Sequence, residues 1–331
     1  MKLQTNYPLI DTIRKAKRFY TPKTLAGKVL LFIPIMLIAM LIEGSVIAVR
    51  IMPSLTQWMD EQTQMQGNVP FQQVYEKVLN MTLEPTNMRI ILYTTSLGTL
   101  AILFFCRQIE GRRFRTMGFK KEGAVKQYLI GMLSGFTIFS CIVLVSFLMG
   151  GLEWNGYQGG AIGAILIMLF GFLLQGMSEE VIFRGYCMTT ILRHHNVYWA
   201  IAFNAFFFGI MHAFNNGFTL FALFNLMLYG VMASLYVLRT DNLWGVCALH
   251  GVWNFVQGNF YGLPVSGVDS GDKVFAMSLK GADILNGGAF GLEASVATTI
   301  VLLIAIAILL FVPLPFCVNG QKTTEETEQT P

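Results

Sequence analysis

The chain alternates long apolar runs with shorter polar segments. Eight runs of about 14 to 23 residues stand out: Val29 to Val49, Ile90 to Cys106, Tyr128 to Gly150, Ala161 to Gly176, Val197 to His212, Phe218 to Leu238, Leu243 to Val256 and Ser295 to Val312. Helical runs near 20 residues match the hydrocarbon thickness of a bilayer. The pattern therefore predicts an all-α fold, a polytopic membrane helix bundle of about eight transmembrane helices around a buried polar cavity. The second, fourth, fifth and seventh runs are at or under the length of a full crossing, which leaves room for one re-entrant segment. The intervening stretches Arg50 to Arg89 and Gly258 to Leu292 are polar, punctuated by Gly and Pro, and carry no strand signal.

Composition sharpens this picture. Hydrophobic residues make up 54% of the chain and charged ones 13%, with a mean hydropathy of +0.56; a soluble protein carries about a quarter charged residues. A soluble globular domain is excluded. The net charge of +4 is too slight to imply nucleic acid as a partner, but its distribution is informative. Counted from the N-terminus, alternate segments on one side carry 7, 7, 2, 1 and 1 of the 23 Lys and Arg, and those on the other side only 5. By the positive-inside rule this split fits eight crossings with both termini cytoplasmic.

Residues 1–28 are too long and basic for a cleavable signal, so they read as part of an uncleaved anchor whose Arg14-Lys15-Ala16-Lys17-Arg18 stretch lies against anionic headgroups. A second basic stretch, Arg112-Arg113-Phe114-Arg115 with Lys120-Lys121, reads the same way. The five cysteines form no C-x-x-C pair and read as small packing residues. The tail from Asn319 to Pro331 is polar and expected to be disordered.

Ionisable residues at membrane depth need a reason, because each costs a few kcal/mol in hydrocarbon. Glu43 lies in the first run, Glu179 and Glu180 follow the fourth with Arg184, His212 ends the fifth, and His250 and Asn254 lie in the seventh. On a helix Glu180 and Arg184, four apart, share a face and can pair. Glu179 then points to another face without a sequence-local partner, a carboxylate lacking a cation and a candidate general base. His250 and Asn254 are also four apart and can reach one ligand. Together these groups could bind a divalent metal such as zinc through Glu179, His212 and His250, or hold a water for attack with donors ready for an oxyanion. Glu43 has no motif around it; it caps a cavity, pairs with Arg184 or Arg50, or sits among headgroups.

These residues carry a family resemblance. Glu-Glu-x-x-x-Arg (Glu179, Glu180, Arg184), Phe-x-x-x-His (Phe208, His212) and His-x-x-x-Asn (His250, Asn254) resemble, in order and spacing, the three signature motifs of the CPBP intramembrane proteases, which include the type II CAAX prenyl endopeptidases and the Abi or bacteriocin-processing proteins. The resemblance covers about residues 165 to 260. It implies that Glu179 activates water with help from His212, that His250 and Asn254 stabilise the oxyanion or complete a metal site, and that Glu180 and Arg184 are a supporting pair. A metal is permitted and not required.

On this reading residues 29–160 are N-terminal transmembrane helices and loops, 161–260 a catalytic core, 261–294 an extracytoplasmic loop, 295–318 the last transmembrane helix and 319–331 a cytoplasmic tail. The expected function is an intramembrane endopeptidase acting near the cytoplasmic side on a membrane-associated peptide or protein, in the plasma membrane of a bacterium. The alternatives are a non-proteolytic scaffold or immunity protein that keeps the fold, and an ion-coupled transporter, for which no inverted repeat is visible. One conflict stands. Glu179 follows the inner end of its apolar run and His212 ends the next, which a straight 16-residue crossing would separate by about 24 Å. The mechanism requires the Glu179 helix to lie deeper than hydropathy indicates.

Overall fold

The computed structural model describes residues 7–315 and residue 317. Twelve helices follow in chain order: α1 (Pro8–Arg14), α2 (Leu25–Gln66), α3 (Phe71–Thr82), α4 (Pro85–Phe104), α5 (Ala124–Leu148), α6 (Ile162–Glu180), α7 (Thr189–Leu192), α8 (Val197–Ile210), α9 (Leu220–Thr240), α10 (Leu243–Phe255), α11 (Asp283–Asn286) and α12 (Val296–Phe311). Two strands, β1 (Leu152–Tyr157) and β2 (Phe275–Leu279), complete the described residues. Capping fixes several of these starts. Thr24, Asn196, Thr219, Asn242 and Ser295 each accept a first-turn N–H of the helix that follows, worth about 1 kcal/mol apiece.

All eight apolar runs are helical. Five helices are long and apolar enough to cross a bilayer, α8 and α12 are shorter, and α10 is prolonged by a wide turn over Val256–Phe260. The protein is an integral, multi-pass membrane protein. Within α9 61% of the apolar window is buried, against 28 to 33% in the other four long helices. Of these five, α9 is therefore the innermost, and the other four turn one face to lipid.

The segment from Arg50 to Arg89, expected as irregular polar loop, is helical. α2 runs to Gln66 through Pro34 and Pro53, about 63 Å at 1.5 Å per residue and twice the hydrocarbon thickness. Its C-terminal part leaves the bilayer and folds back along α3, where Lys77 lies 5.7 Å from the Trp58 ring. A polar helix outside the membrane has no hydropathy signature. The stretch from Gly258 to Leu292 is likewise not strandless: β2 pairs antiparallel with β1, Leu152 opposite Leu279 and Trp154 opposite Met277. Strands of six and five residues are too short to show an alternation in sequence.

The fourth apolar run does not end at Gly176. α6, a π-type stretch over Val181–Met188 and α7 form one 31-residue helix from Ile162 to Leu192, with both glutamates inside it.

The basic N-terminal stretch is also more ordered than an anchor needs. Leu9, Ile10 and Ile13 are buried, and Arg193 donates to the carbonyls of Ile13, Arg14 and Ala16. Nearby, Leu243 N–H donates to Gly118 O at 2.8 Å, Lys120 pairs with Asp241 and Arg239 donates to Val312 O at 2.9 Å. The segments that the charge count assigns to one side thus meet at one end of the bundle, while the Arg89–Asp272 pair (2.7 Å) and the β1–β2 ribbon lie at the other. The tail from Asn319 to Pro331 lies outside the described residues.

α10 is clasped between α5 and α6 at backbone contact. A Cβ at Gly131 or Gly135 would meet the carbonyls of Gly245 and Leu249, and one at Gly176 would meet the Gly251 amide. Small residues permit this close approach in lipid, where helices gain little from apolar burial. Gly135→Val should therefore destabilise the protein by about 1–3 kcal/mol through overpacking, lowering its thermal midpoint in detergent. Gly163→Ala, where a Cβ meets nothing within 4 Å, should leave that midpoint unchanged.

Candidate active site

Glu179 and His212 lie at a common depth in the bundle. Counting along the helices from the basic end, Glu179 lies thirteen residues before Leu192, about 20 Å, and His212 fifteen residues beyond Val197, about 22 Å. The long α6–α7 helix removes the conflict seen in the sequence. Both residues line one cavity of about 170 Å³, together with His250 and Asn254.

The cavity is built around a buried carboxylate. Glu180 is fully buried, and its Oε1 accepts from Arg184 Nη1 at 2.9 Å, from His250 Nδ1 at 2.8 Å and from the Tyr229 hydroxyl at 3.5 Å. Arg184, also fully buried, stacks its guanidinium over Phe208 at 4.4 Å and Tyr229 at 5.5 Å. The pairing of Glu180 with Arg184 expected from their spacing is present, and the wide turns of the π-type stretch begin immediately after Glu180. Such turns recur at functional positions in helices.

That carboxylate sets the imidazole. A carboxylate only accepts, so Nδ1 of His250 carries the proton in the bond to Glu180 and its Nε2 is turned to the cavity. There Nε2 lies 3.8 Å from Glu179 Oε2. His212 is held in the same sense, because its Nδ1 donates to the Phe208 carbonyl at 2.9 Å.

Glu179 is not without a sequence-local partner, contrary to the reading of its helix face. Gln175, one turn earlier, donates to Glu179 Oε1, and its own carbonyl accepts from Asn254 Nδ2 at 2.9 Å. The direction of this chain is fixed, since the carboxylate must be the acceptor at its end. Gln175 therefore occupies one oxygen of Glu179 and ties it to Asn254, while the buried Oε2 has no hydrogen-bond partner. Gln175 was legible only as a polar residue in an apolar run at i−4 from Glu179. Tyr229, an aromatic in an apolar helix, gave no signal.

Glu43 pairs with neither Arg184 nor Arg50. It accepts from Ser178 Oγ at 3.2 Å, and Gly98 of α4 leaves the room its carboxyl fills, while Arg50 donates to Asn87.

The metal reading does not fit these positions. Glu179, His212 and His250 offer chemically suitable atoms, but among the described residues no three His, Cys, Asp or Glu side chains are gathered to hold an ion.

The remaining polar wall comes from the end of the bundle opposite the basic segments. Asn215, Ser266, Ser270 and Glu293 line it. The site is thus at mid-depth and faces away from the basic end, not close to that end as the sequence reading had it. Glu293 is buried and accepts from Ser266 N–H (3.0 Å), Ser266 Oγ (2.9 Å) and Gln257 Nε2.

These features define a class, a polytopic helix bundle with a carboxylate–imidazole site in a cavity between its membrane helices. Residues 161–256 match the family model described as type II CAAX prenyl endopeptidase Rce1-like. The match covers a little under a third of the chain, contains every motif residue and agrees with the CPBP resemblance. No curated protein and no solved structure matches the chain.

Burial pushes the Glu293 carboxyl up to about 7, against hydrogen bonds from Gln257 and Ser266 that pull it down. The folded state then binds this proton more tightly than the unfolded chain, so stability falls as pH rises from about 4.5 to 7. Thermal unfolding in detergent across that window should show the decline, and Glu293→Gln should flatten it.

Proposed function

We propose that the protein is an intramembrane endopeptidase of the CAAX type, hydrolysing a membrane-associated peptide with Glu179 as general base. The observation that carries this is the unpartnered Glu179 Oε2, 3.8 Å from His250 Nε2 in the cavity between the helices. Two acceptors have no hydrogen to share between them, and at that separation both can accept from one water. Glu179 removes a proton as the water oxygen attacks the peptide carbonyl, and the carbonyl electrons move to its oxygen. Asn254 keeps a second amide N–H beyond its bond to Gln175, the donor for that oxyanion. His212, whose Nδ1 is taken by the Phe208 carbonyl, lines the same cavity and offers its Nε2 as an alternative acceptor for the water's second hydrogen. Protonated Glu179 then gives its proton to the leaving amine nitrogen as the C–N bond breaks, releasing an acid and an amine. Glu180 and Arg184 are positioning residues that fix the His250 ring.

The substrate class rests on the description of the matched family. With the basic end as the cytoplasmic one, both termini are cytoplasmic and the polar wall with Glu293 belongs to extracytoplasmic loops.

Purified protein in liposomes, given a farnesylated CAAX-type reporter peptide, tests this. Glu179→Gln should lower the cleavage rate about 10²–10⁴-fold, the usual contribution of a general base, with helical circular dichroism unchanged. Gln175→Leu should lower it less, since it frees the carboxylate without removing it. Full activity in Glu179→Gln would refute the mechanism, and no cleavage by the wild type of this or any prenylated reporter would refute the substrate class.

A further inference from the structure

At the basic end a second, larger hollow of about 1100 Å³ lies between the α1–α2 linker and the segment after α4. Six cationic side chains line it: Lys15, Lys17, Arg18, Arg107, Arg113 and Arg115. Among the described residues no Asp or Glu lines it. All six are exposed, and none forms an ion pair or side-chain hydrogen bond among the described residues. The nearest carboxylate in sequence, Glu110, is buried and turned inward to Arg112 (3.4 Å) and the Tyr186 hydroxyl (3.3 Å).

The fold holds these like charges together. Tyr20 N–H donates to the Glu110 carbonyl at 3.0 Å, and Arg112 stacks over Phe19 at 3.9 Å while donating to Thr189 Oγ1 at 2.6 Å. The two basic segments are thus fastened side by side by buried contacts, although their own charges repel. Such an arrangement is stabilised when an anion of several charges enters.

A stripe of apolar side chains leads into the same hollow and points to what that anion is attached to. Leu97 (37% exposed), Leu100 (61%) and Phe104 (64%) stand at spacings of three and four on one face of α4, the lipid-facing one, and Ile109 (63%) and Phe114 (46%) flank the cations below them. Arg107 and Gln108 follow Phe104 by three and four residues and line the hollow. An acyl chain along this stripe ends with its headgroup among the six cations.

We propose that this hollow is a binding site for the headgroup of an anionic phospholipid, one carrying two phosphates fitting six positive charges better than one. The chemistry it reads is the phosphate, and the α4 stripe selects the lipid form over a soluble anion. The site lies at the opposite end from the polar wall of the active cavity and is independent of the proposed reaction.

Native mass spectrometry of the full-length protein, released from detergent with phosphatidylcholine, phosphatidylglycerol or diphosphatidylglycerol added at equal concentration, tests this. The wild type should retain diphosphatidylglycerol most strongly and phosphatidylcholine least. Each surface Lys or Arg contributes about 1 kcal/mol to anionic lipid attraction, so Arg107→Ala/Arg113→Ala/Arg115→Ala should weaken diphosphatidylglycerol binding roughly a hundredfold. Lys273→Ala/Lys280→Ala, at the other end, should not alter it. An unchanged thermal midpoint in phosphatidylcholine shows that the triple variant is folded; if it is not, Leu100→Glu/Phe104→Glu replaces it and should give the same loss. Equal retention of all three lipids, or wild-type retention by a folded variant, overturns the proposal. Inorganic phosphate that stabilises the lipid-free protein and displaces diphosphatidylglycerol assigns the hollow to a soluble anion and overturns it as well.

Discussion

One carboxylate oxygen, Oε1 of Glu180, ties the functional centre together. It accepts from Arg184 on its own helix, from His250 on α10 and from Tyr229 on α9, so three helices converge on a single buried acceptor. In a lipid surround an unpaired charge at this depth is costly. Arg184 removes that cost, and the two neutral donors use the rest of the oxygen's capacity. Removing one partner of such a pair strands the other, which typically costs 3–5 kcal/mol. The ring of His250, the face of Tyr229 and the stack of Phe208 on Arg184 all take their orientation from this arrangement.

The glycine contacts explain how the convergence is reached. His250 can touch Glu180 only if α10 approaches α6 closely, and Gly176 against Gly251 permits that. On the other side Gly131 and Gly135 let α5 press α10 into place. Side-chain chemistry at the centre and missing side chains around it are two parts of one constraint, because a Cβ at Gly176 would move the His250 backbone outward.

Much of this was legible in sequence, and the exceptions share a cause. The eight apolar runs, the Glu180–Arg184 pair and the meeting of basic segments at one end follow from hydropathy and helical spacing. Hydropathy failed where polarity and helicity coincide: it ended the fourth run at Gly176 because Glu179 and Glu180 look like an exit from the membrane, and it missed α3 and the outer part of α2. Spacing placed Glu179 correctly on a separate face but read it as partnerless, since an uncharged amide such as Gln175 does not register as a partner for a carboxylate. The strands β1 and β2 and the cavity wall at Glu293 depend on contacts between residues more than a hundred positions apart for the first and tens apart for the second, which no local pattern carries.

The two adjacent glutamates divide their work because consecutive residues on a helix point about 100° apart. Glu180 faces Arg184 and is neutralised; Glu179 faces the cavity with one oxygen tied to Gln175 and the other free. The centre holds two carboxylates, Glu179 and Glu180, and one guanidinium, Arg184. In the proposed reaction Glu179 loses its charge by taking a proton as the substrate oxygen gains one, so the total is the same before and after attack. The charge moves a few ångströms and none is created in a medium that solvates ions poorly. On the proposed mechanism, this conservation of charge is what suits the site to a hydrolysis inside a membrane. Fixed donors such as the Asn254 amide then need only receive the displaced charge, and their orientation is already set by Gln175 before the substrate arrives.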